Sequence, residues 1–185
     1  MDQQPPVRLT YRLLSYLNSP TFGIMRKVDS IHQATSLLGW NNLRNWLRAI
    51  LLAEMGQSEQ QTELLHLSLQ RGKFLEMLVS NFDYWDFRPN EMFLLGMFSL
   101  LDAILGIPMA EALEYLPLTE AQKKALRGDN CEYLPLMHLV LSLEDLSGET
   151  SKYLADVGLD ADKIFMSYYE ASAWAASILH VAQPK

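Results

Sequence analysis

Apolar residues recur along this chain at three- and four-residue intervals, the period of an amphipathic helix, and no convincing alternating strand of useful length appears. Arg8 to Leu17 puts Leu9, Leu13, Leu14 and Leu17 on one face. Asn18-Ser19-Pro20 stops it, because proline disfavours helical geometry in the residue before it. Ser30-Ile31-His32-Gln33 has the form of a capping box, in which the Ser30 hydroxyl accepts from the Gln33 amide and Gln33 reaches back. Gly39 is expected to end that helix. Asn41 or Asn42 then caps the next, which carries Leu43, Trp46, Leu47, Ile50 and Leu51 and stops at Gly56. Ser58 to Gln61 repeats the capping pattern before a long helix toward Val79, with Leu64, Leu65, Leu69, Leu75 and Leu78 as its apolar positions. Gly72 lies inside it, where its small size permits close packing.

Pro89 suits a first helical position. From there to Leu105 the chain is apolar nearly all round, which predicts one helix at the centre of a bundle, closed by Gly106. Shorter helices are expected over Pro108 to Tyr115, Thr119 to Leu126, Cys131 to Asp145 and Glu149 to Val157. Thr119 caps the second of these and Gly128 stops it. Asp160 caps a final helix, Ala161 to Val181. The pattern predicts an all-α multi-helix bundle of roughly nine or ten helices with short links. Residues 1–185 form a single helical domain on this reading, with a seam that divides it into lobes 1–57 and 58–185.

Bulk chemistry narrows the function classes. With 49% hydrophobic and 20% charged residues, the chain has the make-up of a globular protein. A formal net charge of −7, with basic clusters no longer than the pairs Arg26-Lys27 and Lys123-Lys124, speaks against a broad nucleic-acid surface. No apolar run approaches the roughly 20 residues of a membrane span. The opening MDQQPPVRLTYR lacks the apolar core of a secretory signal. The single cysteine, Cys131, excludes an internal disulfide and a thiolate-rich metal site. A cytoplasmic location is the expectation.

Several motifs together resemble a known family. Leu13-Leu14, Asn18-Ser19, Ser30-Ile31, Ala34 and Leu38-Gly39 follow the order found in HD-related output domains (HDOD). The later run GMFSLLDAILGIPMAEALEYLPL is similar to the HDOD half of bacterial signalling proteins that join it to an EAL domain of the cyclic-di-GMP phosphodiesterase type. The resemblance implies an HD-superfamily-like bundle. It also implies a regulatory output module, linked to an EAL domain and to cyclic-di-GMP signalling. Glu111-Ala112-Leu113 spells the name of the EAL domain but lies late in the chain, with no room before it for a barrel.

The same resemblance frames the question of a metal. In catalytic HD hydrolases a helix resembling Gly-Leu-Leu-His-Asp-Ile-Gly carries adjacent ligands. Aligned from Gly96, that pattern places Ser99 at the His position and Leu100 at the Asp position. Serine is a poor ligand and leucine is none, so no metal and no cofactor is expected. Asp102 shares a face with Ser99 but cannot hold a catalytic dication alone, because such sites need several donors around one point. His66 and Asp145 are the upstream and downstream candidates to complete a site. No His pair falls on one helical turn, and no nucleophile elbow or phosphate loop is present.

Elsewhere, Arg12, Tyr16, Asn18 and Ser19, close to the helix start at Ser30 and Gln33, form a polar corner suited to docking or to an anion. Trp85, in the aromatic turn NFDYWDFRP, is a candidate anchor for a partner. The leading expectation is a non-catalytic regulatory module that binds a protein, an EAL domain above all, with a homodimer as a further option. The alternatives are a divergent HD-type phosphohydrolase using His66, Asp102 and Asp145, and a small-ligand sensor with a pocket near Asn18 and Gln33.

Overall fold

The computed structural model describes residues 5–18, 28–56, 58–82, 87–114, 116, 118–145, 150, 154 and 160–182. Among them lie nine α-helices and no strand: α1 (Pro5–Leu17), α2 (Ile31–Ala53), α3 (Glu59–Asn81), α4 (Pro89–Met97), α5 (Leu101–Leu105), α6 (Met109–Ala112), α7 (Glu120–Arg127), α8 (Leu134–Glu144) and α9 (Ala161–Ala182). The fold is an all-α multi-helix bundle. None of these helices is long and apolar enough to cross a membrane.

Local chemistry sets most of the boundaries. Ser30 and Ser58 accept hydrogen bonds from the Gln33 and Gln61 amides and open α2 and α3. The Gln33 side chain reaches back as expected, but it accepts from Asp29 N rather than from the cap residue's own amide. Thr119 and Gln122 form a complete capping box on α7, and Gly106 and Gly128 end α5 and α7 in the left-handed conformation. Gly39 (φ 72°, ψ 162°) is non-helical and divides α2 into two helical stretches across a kink, as expected of the glycine that ends the first of them. The expected helix over residues 149–157 falls mostly outside the described residues.

At the centre, α3 and α4 form the closest-packed pair. A Cβ on Gly96 would lie 2.4 Å from the Arg71 carbonyl carbon and the Gly72 amide nitrogen. A Cβ on Gly72 would lie 2.7 Å from the Phe93 carbonyl oxygen. The backbones meet because neither residue has a side chain there. α9 packs along the other side of α3.

The single apolar helix expected from Pro89 to Leu105 is in fact two. The Ser99 hydroxyl donates to the Gly96 carbonyl at 2.7 Å, and the Ser99 amide bonds the same oxygen at 3.1 Å. Serine side chains that compete for backbone carbonyls loosen a helix, and here Phe98 to Leu100 becomes a turn. α5 leaves the centre as a result. Leu101 and Ile104 stay buried, Asp102 is half-buried, and Ala103 and Leu105 are exposed.

Two hydrophobic clusters fill the bundle. The first joins Leu13 and Leu17 of α1, Trp46 and Ile50 of α2, Leu65 and Leu69 of α3, Phe93 and Met97 of α4, and Ile178 of α9. The second joins Phe74, Leu75 and Leu78 of α3, Met92 and Leu95 of α4, Val140 of α8, and Ile164 and Ala171 of α9. Helices α3, α4 and α9 therefore serve both, and the boundary between the clusters crosses α3 between Leu69 and Phe74.

Candidate functional site

The turn after α4 delivers Ser99 to a charged cluster between α3, α8 and α9. Arg71, only 6% exposed, donates from Nη1 to Ser99 Oγ at 3.1 Å. Its Nε and Nη2 donate to the two Glu144 carboxylate oxygens at 2.8 and 2.5 Å. This fork-on-fork pairing is the strongest geometry open to an Arg and a carboxylate. The Tyr168 hydroxyl donates to Glu144 Oε1 at 3.2 Å. Burial, with the Glu144 charge adding to it, pushes the Tyr168 phenol far above its ordinary value.

The oxygens of this cluster are already engaged in hydrogen bonds. Ser99 is the one residue at the HD-type ligand positions with an oxygen to offer, and that oxygen already accepts from a guanidinium. Leu100 is apolar. The Asp102 carboxylate makes no hydrogen bond or ion pair among the described residues; its backbone oxygen instead accepts the Gly106 and Ile107 amides at the end of α5. His66 is half-buried on α3, and Asp145 is exposed at the C-terminal cap of α8. No group of three or more His, Cys, Asp or Glu residues among the described residues is placed to hold a metal ion.

The residues of the N-terminal corner serve different ends. Arg12, 5% exposed, pairs with Glu54 at the end of α2 and donates to the Ala182 carbonyl of α9 at 2.9 Å. It ties the middle of α1 to the C-terminal ends of α2 and α9. Asn18 donates from Nδ2 to the Leu14 and Val28 carbonyls and accepts from Val28 N, each at 2.8 Å, so it fastens Val28 to the end of α1. Ser30 is spent on its cap and Gln33 is exposed. Ser19 and Trp85 lie outside the described residues. Tyr16 is buried against Trp46, ring centroids 6.1 Å apart, and burial raises its phenol well above the ordinary value. It lines a cavity on the far side of α3 from the Arg71 cluster, away from Gln33.

The family description "HDOD domain" matches residues 4–132. The chain belongs to the HDOD family. It is 30% identical over 173 residues to the uncharacterized protein YuxH of Bacillus subtilis (strain 168), covering 92% of this chain and 42% of that protein. It is also 30% identical over 173 residues to the cyclic di-GMP phosphodiesterase CdgJ of Vibrio cholerae serotype O1, covering 93% of this chain and 40% of that protein. The chain thus spans about two fifths of the length of these relatives. No solved structure gives a significant match.

The HDOD match ends at residue 132, yet two members of the charged cluster, Glu144 and Tyr168, lie beyond it on α8 and α9. Neither Arg71 nor Glu144 stood out in the sequence. One signal was available: Arg71 interrupts the apolar run of α3 between Leu69 and Phe74, and a cation there needs a buried anion. Asp145 drew attention at the end of α8, but the carboxylate that pairs with Arg71 is its neighbour, Glu144.

Proposed function

We propose that this HDOD chain is a non-catalytic regulatory module of cyclic-di-GMP signalling that works by contacting another protein, an EAL domain being the partner of choice. The observation that carries the non-catalytic part is the Arg71 guanidinium bonded to Ser99. A permanent cation beside the only oxygen at the ligand positions repels a second cation. The same guanidinium also occupies the Glu144 carboxylate. CdgJ is named as a phosphodiesterase, but the part it shares with this chain is 40% of its length, so its catalysis need not reside there.

Exposed apolar residues support the contact role. Phe165, Met166 and Tyr169 stand out on α9, with Phe165 and Tyr169 one turn apart on the same face. The test has two parts. Elemental analysis of purified protein is expected to find no stoichiometric Fe, Mn or Zn, and the protein alone is expected not to hydrolyse cyclic di-GMP. Added in trans to an EAL domain, it is expected to change that domain's rate, and Phe165→Ser/Tyr169→Ser is expected to abolish the change. Chelation-sensitive turnover by this chain alone, lost in Asp102→Asn, would overturn the reading.

A further inference from the structure

The cavity lined by Tyr16 has no part in the reading above. It has a volume of about 240 Å³ and is walled by Tyr16, Trp46 and Trp174, with Asn42, Lys73 and Glu76 among its polar edges. A larger recess of about 520 Å³ shares Asn42, Lys73 and Glu76 and continues past Asn41, Ser80 and Asn90. Together they form a groove with a narrow aromatic end and a wide polar end.

The narrow end has a definite hydrogen-bonding pattern. Glu76 is 7% exposed; its Oε1 accepts from Asn45 Nδ2 at 2.6 Å and its Oε2 from Lys73 Nζ at 2.8 Å. An ionised carboxylate has about four acceptor positions, so each oxygen keeps one free. Lys73 has three N–H donors and uses one on Glu76; its Nζ also lies 5.6 Å from the Trp174 ring centroid. Trp46, 2% exposed, has an indole N–H with no acceptor among the described residues. Buried donors left without a partner are uncommon.

We propose that this groove binds the guanine base of a nucleotide, its face toward Trp174, with its N1–H and N2–H₂ edge on Glu76 and its O6 on Lys73. Guanine presents two adjacent donors followed by an acceptor. A carboxylate beside an ammonium is the complement of that order. Adenine offers an unprotonated ring nitrogen where the carboxylate needs a donor, and uracil offers one donor flanked by two acceptors. A flat cation would suit Glu76 but not its neighbour Lys73. The aromatic walls favour a planar ring, because every base has a face that stacks on indole. The wide end, rich in amides and hydroxyls, takes the sugar and phosphate.

Calorimetric titration of the whole chain tests this, and it needs no partner protein, so its outcome is separate from that of the contact reading. Guanosine is expected to bind at least about tenfold more tightly than adenosine, the loss expected when a buried carboxylate meets an acceptor. GMP and cyclic di-GMP are two sources of the same base, and tighter binding of one identifies the physiological form. Glu76→Gln is expected to erase the preference for guanosine. Lys73→Met, at a half-buried position that tolerates the change, is expected to weaken guanosine and leave adenosine unaltered. Equal affinity for the two nucleosides, or no heat from any guanine compound in the millimolar range, would overturn the proposal.

Discussion

Two acid–base pairs sit two residues apart on α3 and face different surroundings. Arg71 reaches across to Glu144, 73 residues away on α8, and is sealed between three helices. Lys73 pairs with Glu76 on its own helix, at the edge of an open groove. The first pair is bidentate and long-range, so it fixes how helices meet. The second is local and leaves donors and acceptors over, so it can meet something else. The contrast shows that a buried charge says little about function until its surplus hydrogen-bonding capacity is known.

Removing Arg71 breaks the comparison most severely. Arg71→Met leaves Glu144 mostly buried without its cation, and an expected loss of about 3 kcal/mol would show as a lower urea midpoint. Replacing both partners, Arg71→Met with Glu144→Leu, is expected to recover most of that loss. If the double variant is no more stable than the single one, the pair does not act as a unit.

Alkali acts on both sides of α3. Burial raises the phenols of Tyr168 beside the sealed pair and Tyr16 beside the groove, and burial with Glu91 nearby pushes Tyr133 up to about 12. Each is neutral in the fold at a pH where the unfolded phenol, with its ordinary value of 10.0, ionises. Their stabilisation is therefore complete below pH 10.0 and is lost as pH climbs through the raised values. Circular dichroism is expected to show unfolding that begins above pH 10.0, and Tyr168→Phe is expected to move that onset upward. At neutral pH the same change, by deleting the hydroxyl bond to Glu144, is expected to lower stability by about 1 kcal/mol.

Lys73→Met sharpens the contrast from the other side. Its stability effect is expected to be about 1 kcal/mol, smaller than that of Arg71→Met, because Glu76 keeps its hydrogen bond from Asn45. Smallest of all is Asp102→Asn, expected within about 0.5 kcal/mol of the parent in thermal unfolding, as befits a half-buried carboxylate with no hydrogen bond or ion pair among the described residues. A large loss there would place Asp102 in a network after all.

Much of the fold could be read from the chain because its signals are local. Ser30, Ser58 and Thr119 announce helix starts, and Gly106 and Gly128 announce ends, each through contacts within a few residues. The break after Met97 could not be read the same way. The segment is apolar enough for one helix, and its division depends on the Ser99 hydroxyl turning onto the Gly96 carbonyl. The partner of Arg71 was equally hidden, since periodicity is silent about pairings 73 residues apart. The inward turn of Tyr16 was hidden for a related reason. Asn18 and Gln33 looked available near one another, whereas Tyr16 on the same first helix turns inward to meet α2 and α9.

The glycine crossing of α3 over α4 gives distant comparisons a fixed point. A methyl group at either Gly72 or Gly96 would force two backbones apart, so a chain that keeps this crossing must keep the gap on both helices. In aligning remote sequences, those two positions make better registration marks than the leucines around them, which can trade places with other apolar residues while the glycines have no substitute.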